Sequence, residues 1–326
     1  MQNFSGWIPM RIYSQDARWM VDWGYLGVRR FTDPFFGQTI NRCVEHPADL
    51  LFRHQTPLEH LGDIVGTQPS LRPTGFIFHM SRCGSTLISQ MLAATPENVV
   101  LSEPGPVDTI LRAHFRDPAI TEAERVQWLQ WLVGVLAWRR HPTEKNLFIK
   151  FDCWHALFLP LIQRAFPGVP WIFVYREPHE VMASHLGHRG AQMIPGVLEP
   201  DLFGWDLETV SGMAPNEYGV RVLAKICEVA LLQVQGGNGQ LINYHQLPDS
   251  IWPALMEYWR VRFSKDETQR MMAAAQVNAK NPVLPFEADS QTKRDAVPAE
   301  LRSLTQQWLG GLYQQLETQR RAGVFA

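Results

Sequence analysis

Five short apolar runs, each followed by turn or helix signals, constrain this chain more than any other feature. They lie at 75–80, 99–102, 147–151, 171–175 and 240–244 and are dense in β-branched and aromatic residues, as buried strands are. A run that is apolar at every position suits a strand covered on both faces, which is the habit of parallel sheets. Helical patterns fill the gaps. Leu87, Ile88, Met91 and Leu92 repeat at helical spacing until Pro96; Thr121 and Glu124 form a capping box ahead of a helix running to about Arg140; 156–165, 180–186 and 217–235 read as further helices. Strand–helix alternation of this kind predicts an α/β fold: three layers, α/β/α, with a central parallel sheet of about five strands. After Ser250 the chain reads as helical, at 252–263, 266–277 and 298–317.

Residues 1–70 lack the alternation. Trp7, Trp19, Trp23, Phe35 and Phe36 stand there among prolines and short turns, which suits an extension packed on the 71–326 domain or used in a homodimer contact, and packing is the commoner use of such aromatics. With 326 residues, 45% hydrophobic and 19% charged, the chain has material for one large core. A net charge of −2 gives no general pull toward nucleic acid or an anionic membrane, so an anionic ligand needs a local pocket. Cys43, Cys83, Cys153 and Cys227 are widely spaced with no C-x-x-C pair, the pattern of reduced thiols and a cytoplasmic location. No secretory leader pattern opens the sequence. The most apolar stretch, 126–138, is interrupted by Gln127 and Gln130 and falls short of the roughly 20 residues that cross a bilayer.

The first run leads into Met80, Ser81, Arg82, Cys83, Gly84, Ser85 and Thr86, a strand, a tight turn and a helix start. Backbone N–H groups converge at such a turn, the helix adds the positive end of its dipole, and Ser85 and Thr86 offer hydroxyls. Arg82 adds a fixed charge. A Walker A loop is excluded, because His79 stands at its first glycine and Ser85 at its lysine. A cysteine phosphatase would need an arginine six residues after Cys83, where Ser89 stands. A turn that merely caps a helix is the plain alternative.

The fourth run ends at Arg176, with Ser184 in the helix that follows. In a doubly wound sheet the carboxyl ends of the strands share one crevice, so Arg176 should face the same edge as the Ser81 to Thr86 turn. Two phosphate-suited positions on one edge suggest a ligand with two separated phosphates. These residues resemble the phosphate-loop-related sulfotransferase superfamily, whose members use 3′-phosphoadenosine 5′-phosphosulfate. Its [PS]-[KR]-[SC]-G-[ST]-T turn corresponds to Ser81, Arg82, Cys83, Gly84, Ser85 and Thr86, and its R-x₇-S motif to Arg176 and Ser184. The resemblance covers roughly residues 74–320 and implies a nucleotide-kinase-like sheet, in-line sulfuryl transfer and no metal.

It also implies roles. Glu103, after the second run, resembles the base of tyrosylprotein-type members. Arg82 takes the loop's basic position. Lys150 matches the lysine of the family's K-x-P segment, although Phe151 and Asp152 follow it here. A lysine late in a buried strand is costly unless it meets a polar crevice. Lys293, in the stretch Asp289, Ser290, Gln291, Thr292, Lys293 and Arg294, is a candidate nucleotide contact, and His245 and Gln246 replace an acidic pair of the family. His155 is expected to be structural. His179, His185 and His188 do not have metal-site spacing and read as helix-surface residues. Two rivals stay open: a nucleotide-dependent kinase on the same fold, and a member that binds without catalysing. The acceptor, a small molecule, has no code in the sequence.

Overall fold

The computed structural model describes residues 4–45, 54–237, 239–248, 252–285, 297–323 and 325. In chain order its strands are β1 (Trp7–Gln15), β2 (Arg18–Tyr25), β3 (His54–Pro57), β4 (Pro73–His79), β5 (Asn98–Ser102), β6 (Asn146–Lys150), β7 (Trp171–Tyr175), β8 (Gly239–Asn243), β9 (Val277–Asn278) and β10 (Asn281–Pro285). The five apolar runs are β4 to β8, and they form one sheet in the order β5-β6-β4-β7-β8, parallel throughout. Every residue of β5 and of β7 is buried. Because alternate side chains leave a strand on opposite faces, that pattern requires cover on both sides.

The topology places the site. β4 comes first in the sheet and sits at its centre, with Phe76 opposite Ile149 on one side and Trp171 on the other. The chain runs out to β5, returns to β6, then crosses to β7 and β8. Connections therefore diverge on the two sides of β4, which opens a crevice at the carboxyl ends of the strands. The helices that begin there are Ser85–Ala93 after β4, Gly105–Leu111 after β5 and Pro178–Gly187 after β7. Pro106 and Pro178 stand in the first turns of their helices, where the missing N–H costs nothing. The capping box at Thr121 forms as expected: Glu124 N donates to Thr121 Oγ1 at 3.2 Å and Thr121 N to Glu124 Oε2 at 2.8 Å.

Two regions depart from the sequence expectation. β1, β2 and β3 form an antiparallel sheet, which the loop-like reading of the first seventy residues did not anticipate. On it the buried Asp22, 1% exposed, receives Arg11 Nε at 2.9 Å and Tyr13 Oη at 3.1 Å from more exposed side chains. Trp19 packs against Trp128 with centroids 5.6 Å apart, and Trp23 against Phe4 at 4.3 Å. These indoles build core. The second departure is the β9–β10 hairpin, which interrupts a tail read as helical. Helices Trp252–Tyr258 and Lys265–Ala274 precede it, and Ala299–Thr305 runs through a π turn, Gln306–Gly310, into Gly311–Arg321. No helix among the described residues is long and apolar enough to cross a membrane.

Candidate functional site

A cavity of about 640 Å³ lies at the carboxyl edge of the sheet. The residues singled out by the sequence gather around it: Ser81, Arg82, Cys83, Gly84, Ser85, Thr86, Glu103, Arg176 and Ser184 all line it.

The turn after β4 is built from backbone. Ser81, Arg82 and Gly84 have φ of +91°, +51° and +88°, and the first two carry that left-handed strain without being glycine. A run of such residues turns successive N–H groups toward one point. Gly84 precedes the helix Ser85–Ala93 with no side-chain cap. A Cβ at Gly84 would lie 2.7 Å from Tyr244 Cδ2 and 2.9 Å from Leu247 Cδ1, so close approach and dihedral both require glycine. The side chains of the turn divide their work. Ser81 Oγ points into the protein, 3.2 Å from His185 Nε2 and 3.1 Å from Gln192 Nε2, so Ser81 gives the turn its backbone only. Cys83 donates its thiol to Val174 O at 3.0 Å, and burial pushes its pKa up to about 11, the state of an inert thiol. Arg82 reaches the cavity and donates from Nη2 to His188 O at 2.7 Å.

The second grip is built from side chains. Arg176 is 4% exposed. Its Nε donates to Glu180 Oε2, one turn along the next helix, and its guanidinium lies 4.0 Å over the ring of Tyr244. Carboxylate and ring hold the fork facing the cavity before any ligand arrives. Tyr244 thus touches both grips, beside Gly84 and under Arg176. Of the three histidines nearby, His179 binds Glu177 at 2.6 Å. His185 is buried rather than on the surface, since its ring braces Ser81, and burial followed by the charge of Arg82 lowers its pKa to about 3.

At the end of β5, Glu103 has φ +54°, again a strained non-glycine residue in the crevice. Its N–H donates to Lys150 O at 2.7 Å. Lys150, 1% exposed, pairs through Nζ with Glu103 Oε1 and sits 5.3 Å from the ring centroid of Phe35. It therefore lies one layer behind the cavity surface. Burial is the largest influence on Glu103 and raises its proton affinity, but Lys150 and His79 together outweigh it and hold the carboxyl well below the usual range. His79 completes the group. Its Nδ1 accepts from Ser81 N at 3.1 Å and its Nε2 stands 3.5 Å from Glu103 Oε1 with no hydrogen-bond partner. Burial, then Lys150, lowers its pKa to about 4, so His79 is neutral and carries its proton toward Glu103.

Besides His79 and Tyr244, four further contributors were not singled out as site residues. Phe35 brings the first seventy residues to the cavity wall, Asp152 and Trp154 enter after β6, and Lys280 hangs over the opening from the β9–β10 turn. Burial, then Arg82 and Lys150, lowers the pKa of Lys280 to about 8. His155 is structural, with Nε2 2.9 Å from Asp108 Oδ1. Lys293, with its loop, falls outside the described residues. No cluster suited to a metal ion occurs among the described residues.

No family model matches the sequence. No curated protein matches it either. Similar folds occur among solved structures. A sulfotransferase domain of the curacin biosynthetic pathway is 17% identical, covering 75% of this chain and 99% of its own, with a TM-score of 0.45. A sulfotransferase of Mycobacterium avium is 13% identical, covering 78% and 80%, with a TM-score of 0.46. A retinol dehydratase in complex with retinol and PAP is 15% identical, covering 80% and 87%, with a TM-score of 0.40.

Proposed function

We propose that the protein transfers a sulfuryl group from 3′-phosphoadenosine 5′-phosphosulfate to a hydroxyl or amine of a small acceptor. What carries the reading is that one cavity is lined by two anion grips of different construction, the backbone turn after β4 and Arg176 with Ser184 after β7. A ligand with separate phosphates on the 3′ and 5′ oxygens of its ribose fits that pair; a single triphosphate chain would use only the first. Because the lysine of an ATP-binding loop is replaced by Ser85, a kinase on this scaffold would lack its central cation.

In this reading the turn from Ser81 to Thr86 holds the 5′-phosphosulfate through its N–H groups and the hydroxyls of Ser85 and Thr86. Arg176 and Ser184 hold the 3′-phosphate. Arg82 and Lys280 face the oxygen on which negative charge grows as sulfur leaves it, and positioned cations stabilise that charge. The acceptor's proton needs a base. Resemblance assigns that role to Glu103 and associates Lys150, bound to it, with the leaving oxygen.

Thermal stabilisation by adenosine 3′,5′-bisphosphate, compared with ATP and magnesium, tests the reading. The bisphosphate should raise the melting temperature more than ATP, and the shift should collapse in the double variant Arg176→Met, Glu180→Gln, each protein being compared with its own unliganded form. A larger shift with ATP, or a bisphosphate shift indifferent to the double variant, would sink it.

A further inference from the structure

Two carboxyl groups line the cavity in opposite states. Glu103 is committed: Lys150 pairs with it, and His79 Nε2 stands 3.5 Å away. Asp152 lies two residues past Lys150, where β6 leaves the sheet, with its side chain 14% exposed at the cavity wall. The histidine beside it is engaged elsewhere. His155 Nδ1 accepts the N–H of Asp152 at 3.2 Å, which puts the ring proton on Nε2, and that atom is 2.9 Å from Asp108 Oδ1 but 3.8 Å from Asp152 Oδ2. Trp154 Nε1 and Arg112 also bond Asp108, at 2.7 and 2.8 Å, so the neighbouring carboxylate is fully solvated by protein and stays charged. The groups acting on Asp152 are His155 and Lys150, which favour its anion, and Glu103 and Asp108, which oppose it; burial exceeds all of them and carries its pKa up to about 7. When neighbouring carboxyls are pushed apart in this way, the paired one serves as fixed charge and the raised one as proton carrier.

We propose that Asp152 is a second catalytic carboxylate, the one that takes the acceptor's proton while Glu103 stays ionised against Lys150. The proposal rests on the sulfuryl-transfer reading and moves the base within it. As the acceptor oxygen bonds to sulfur, the bond between sulfur and the bridging oxygen of the donor breaks. The bisphosphate leaves with that electron pair. The proton of the acceptor passes to Asp152, which becomes a neutral acid and returns the proton to water between turnovers. A base that ionises near the working pH can both accept and release it.

The test uses the whole chain with the donor nucleotide and water as the acceptor, following bisphosphate release. The parent should accelerate as pH rises through an ionisation near 7. Asp152→Asn should slow it about 10²- to 10⁴-fold and remove that ionisation, while bisphosphate still stabilises the variant, and Asp152→Glu should restore part of the rate. Glu103→Gln should lower the rate yet keep the ionisation. Infrared spectra of the bisphosphate complex give an independent reading: a protonated carboxyl band should titrate near 7 and vanish in Asp152→Asn. If Asp152→Asn binds the bisphosphate and keeps the parental rate and profile, or the band is absent from the parent, the assignment to Asp152 is overturned and the sulfotransferase reading stands. If the bisphosphate stabilises neither protein, both fall.

Discussion

The two anion grips face one cavity, yet they are made of different materials. The turn after β4 is main chain: strained positive dihedrals at Ser81, Arg82 and Gly84 and an uncapped helix start, with its side chains largely turned to bracing. The grip after β7 is one guanidinium, oriented in advance by Glu180 and Tyr244. A main-chain grip survives most substitutions, because every residue but proline has an N–H; a side-chain grip is lost with its residue. The difference teaches where selectivity can be tuned: under the proposed function the first grip would fix that a phosphate binds, the second which nucleotide does.

The largest effect should come from Gly84→Val, which attacks the main-chain grip at its one irreplaceable residue. A β-branched residue at φ +88°, with Tyr244 2.7 Å from its Cβ, must either shift the turn or displace the ring under Arg176. Strained dihedrals of this kind cost about 1–3 kcal/mol, and the collision adds to it. Bisphosphate affinity measured by calorimetry should fall more than about 100-fold, through both grips at once, since losing even about 2.8 kcal/mol is a factor of that size. Retained affinity would mean that the turn is not the phosphate site.

Next comes Arg176. Arg176→Ala alone would take from Glu180, 5% exposed, the guanidinium it pairs with; breaking a buried pair on one side costs about 3–5 kcal/mol of stability and would blur any binding result. Arg176→Met with Glu180→Gln removes the pair together. Charge-assisted hydrogen bonds contribute about 1.5–3 kcal/mol, so bisphosphate affinity should drop roughly 10- to 150-fold, whereas adenosine 5′-phosphate, lacking the 3′ group, should change little. Equal losses for both ligands would erase the proposed division between the grips. Ser184→Ala removes one neutral hydrogen bond, about 1 kcal/mol, and should weaken the bisphosphate about fivefold by the same measurement.

How much of this was visible in the sequence follows the same divide between local and assembled features. β7 is the run 171–175 to the residue, and the turn from Ser81 to Thr86 announced itself, because strand burial and turn chemistry are written in consecutive residues. Arg176 and Ser184 were found because they too follow a strand. The states of the groups were not written there. That Lys150 is spent on Glu103, that His185 is buried behind Ser81, and that Asp152 is left without its histidine depend on which neighbours fold against them, and no local pattern carries that. Lys280 was missed for a related reason: Val277 and Asn278 pair with Asn281 and Pro285 in a hairpin too short to show a period, so the residue at its turn looked like one more exposed lysine. The sheet of β1 to β3 was missed although Trp19, Val21, Trp23 and Tyr25 alternate with Arg18, Asp22 and Gly24, the period that marks a strand; it was masked by the density of aromatics and turns around it.

The smallest effect in the series should come from Cys83, the residue of the turn whose chemistry invites the most attention. Its thiol is buried, donates to Val174 O at 3.0 Å and has its pKa raised to about 11 by burial, so the nucleophilic thiolate is scarce at neutral pH. A serine hydroxyl can make the same bond to Val174 O. Cys83→Ser should therefore keep bisphosphate affinity within about threefold, because a change of roughly 0.7 kcal/mol or less is all that swapping one neutral donor for another entails. A thiol reagent applied to the folded parent should leave Cys83 unmodified on the timescale on which it labels the unfolded chain, as mass spectrometry of the tryptic peptide would report. Rapid labelling with loss of bisphosphate binding would place the thiol in the cavity as a working group, and the turn would then grip by side chain as the second site does.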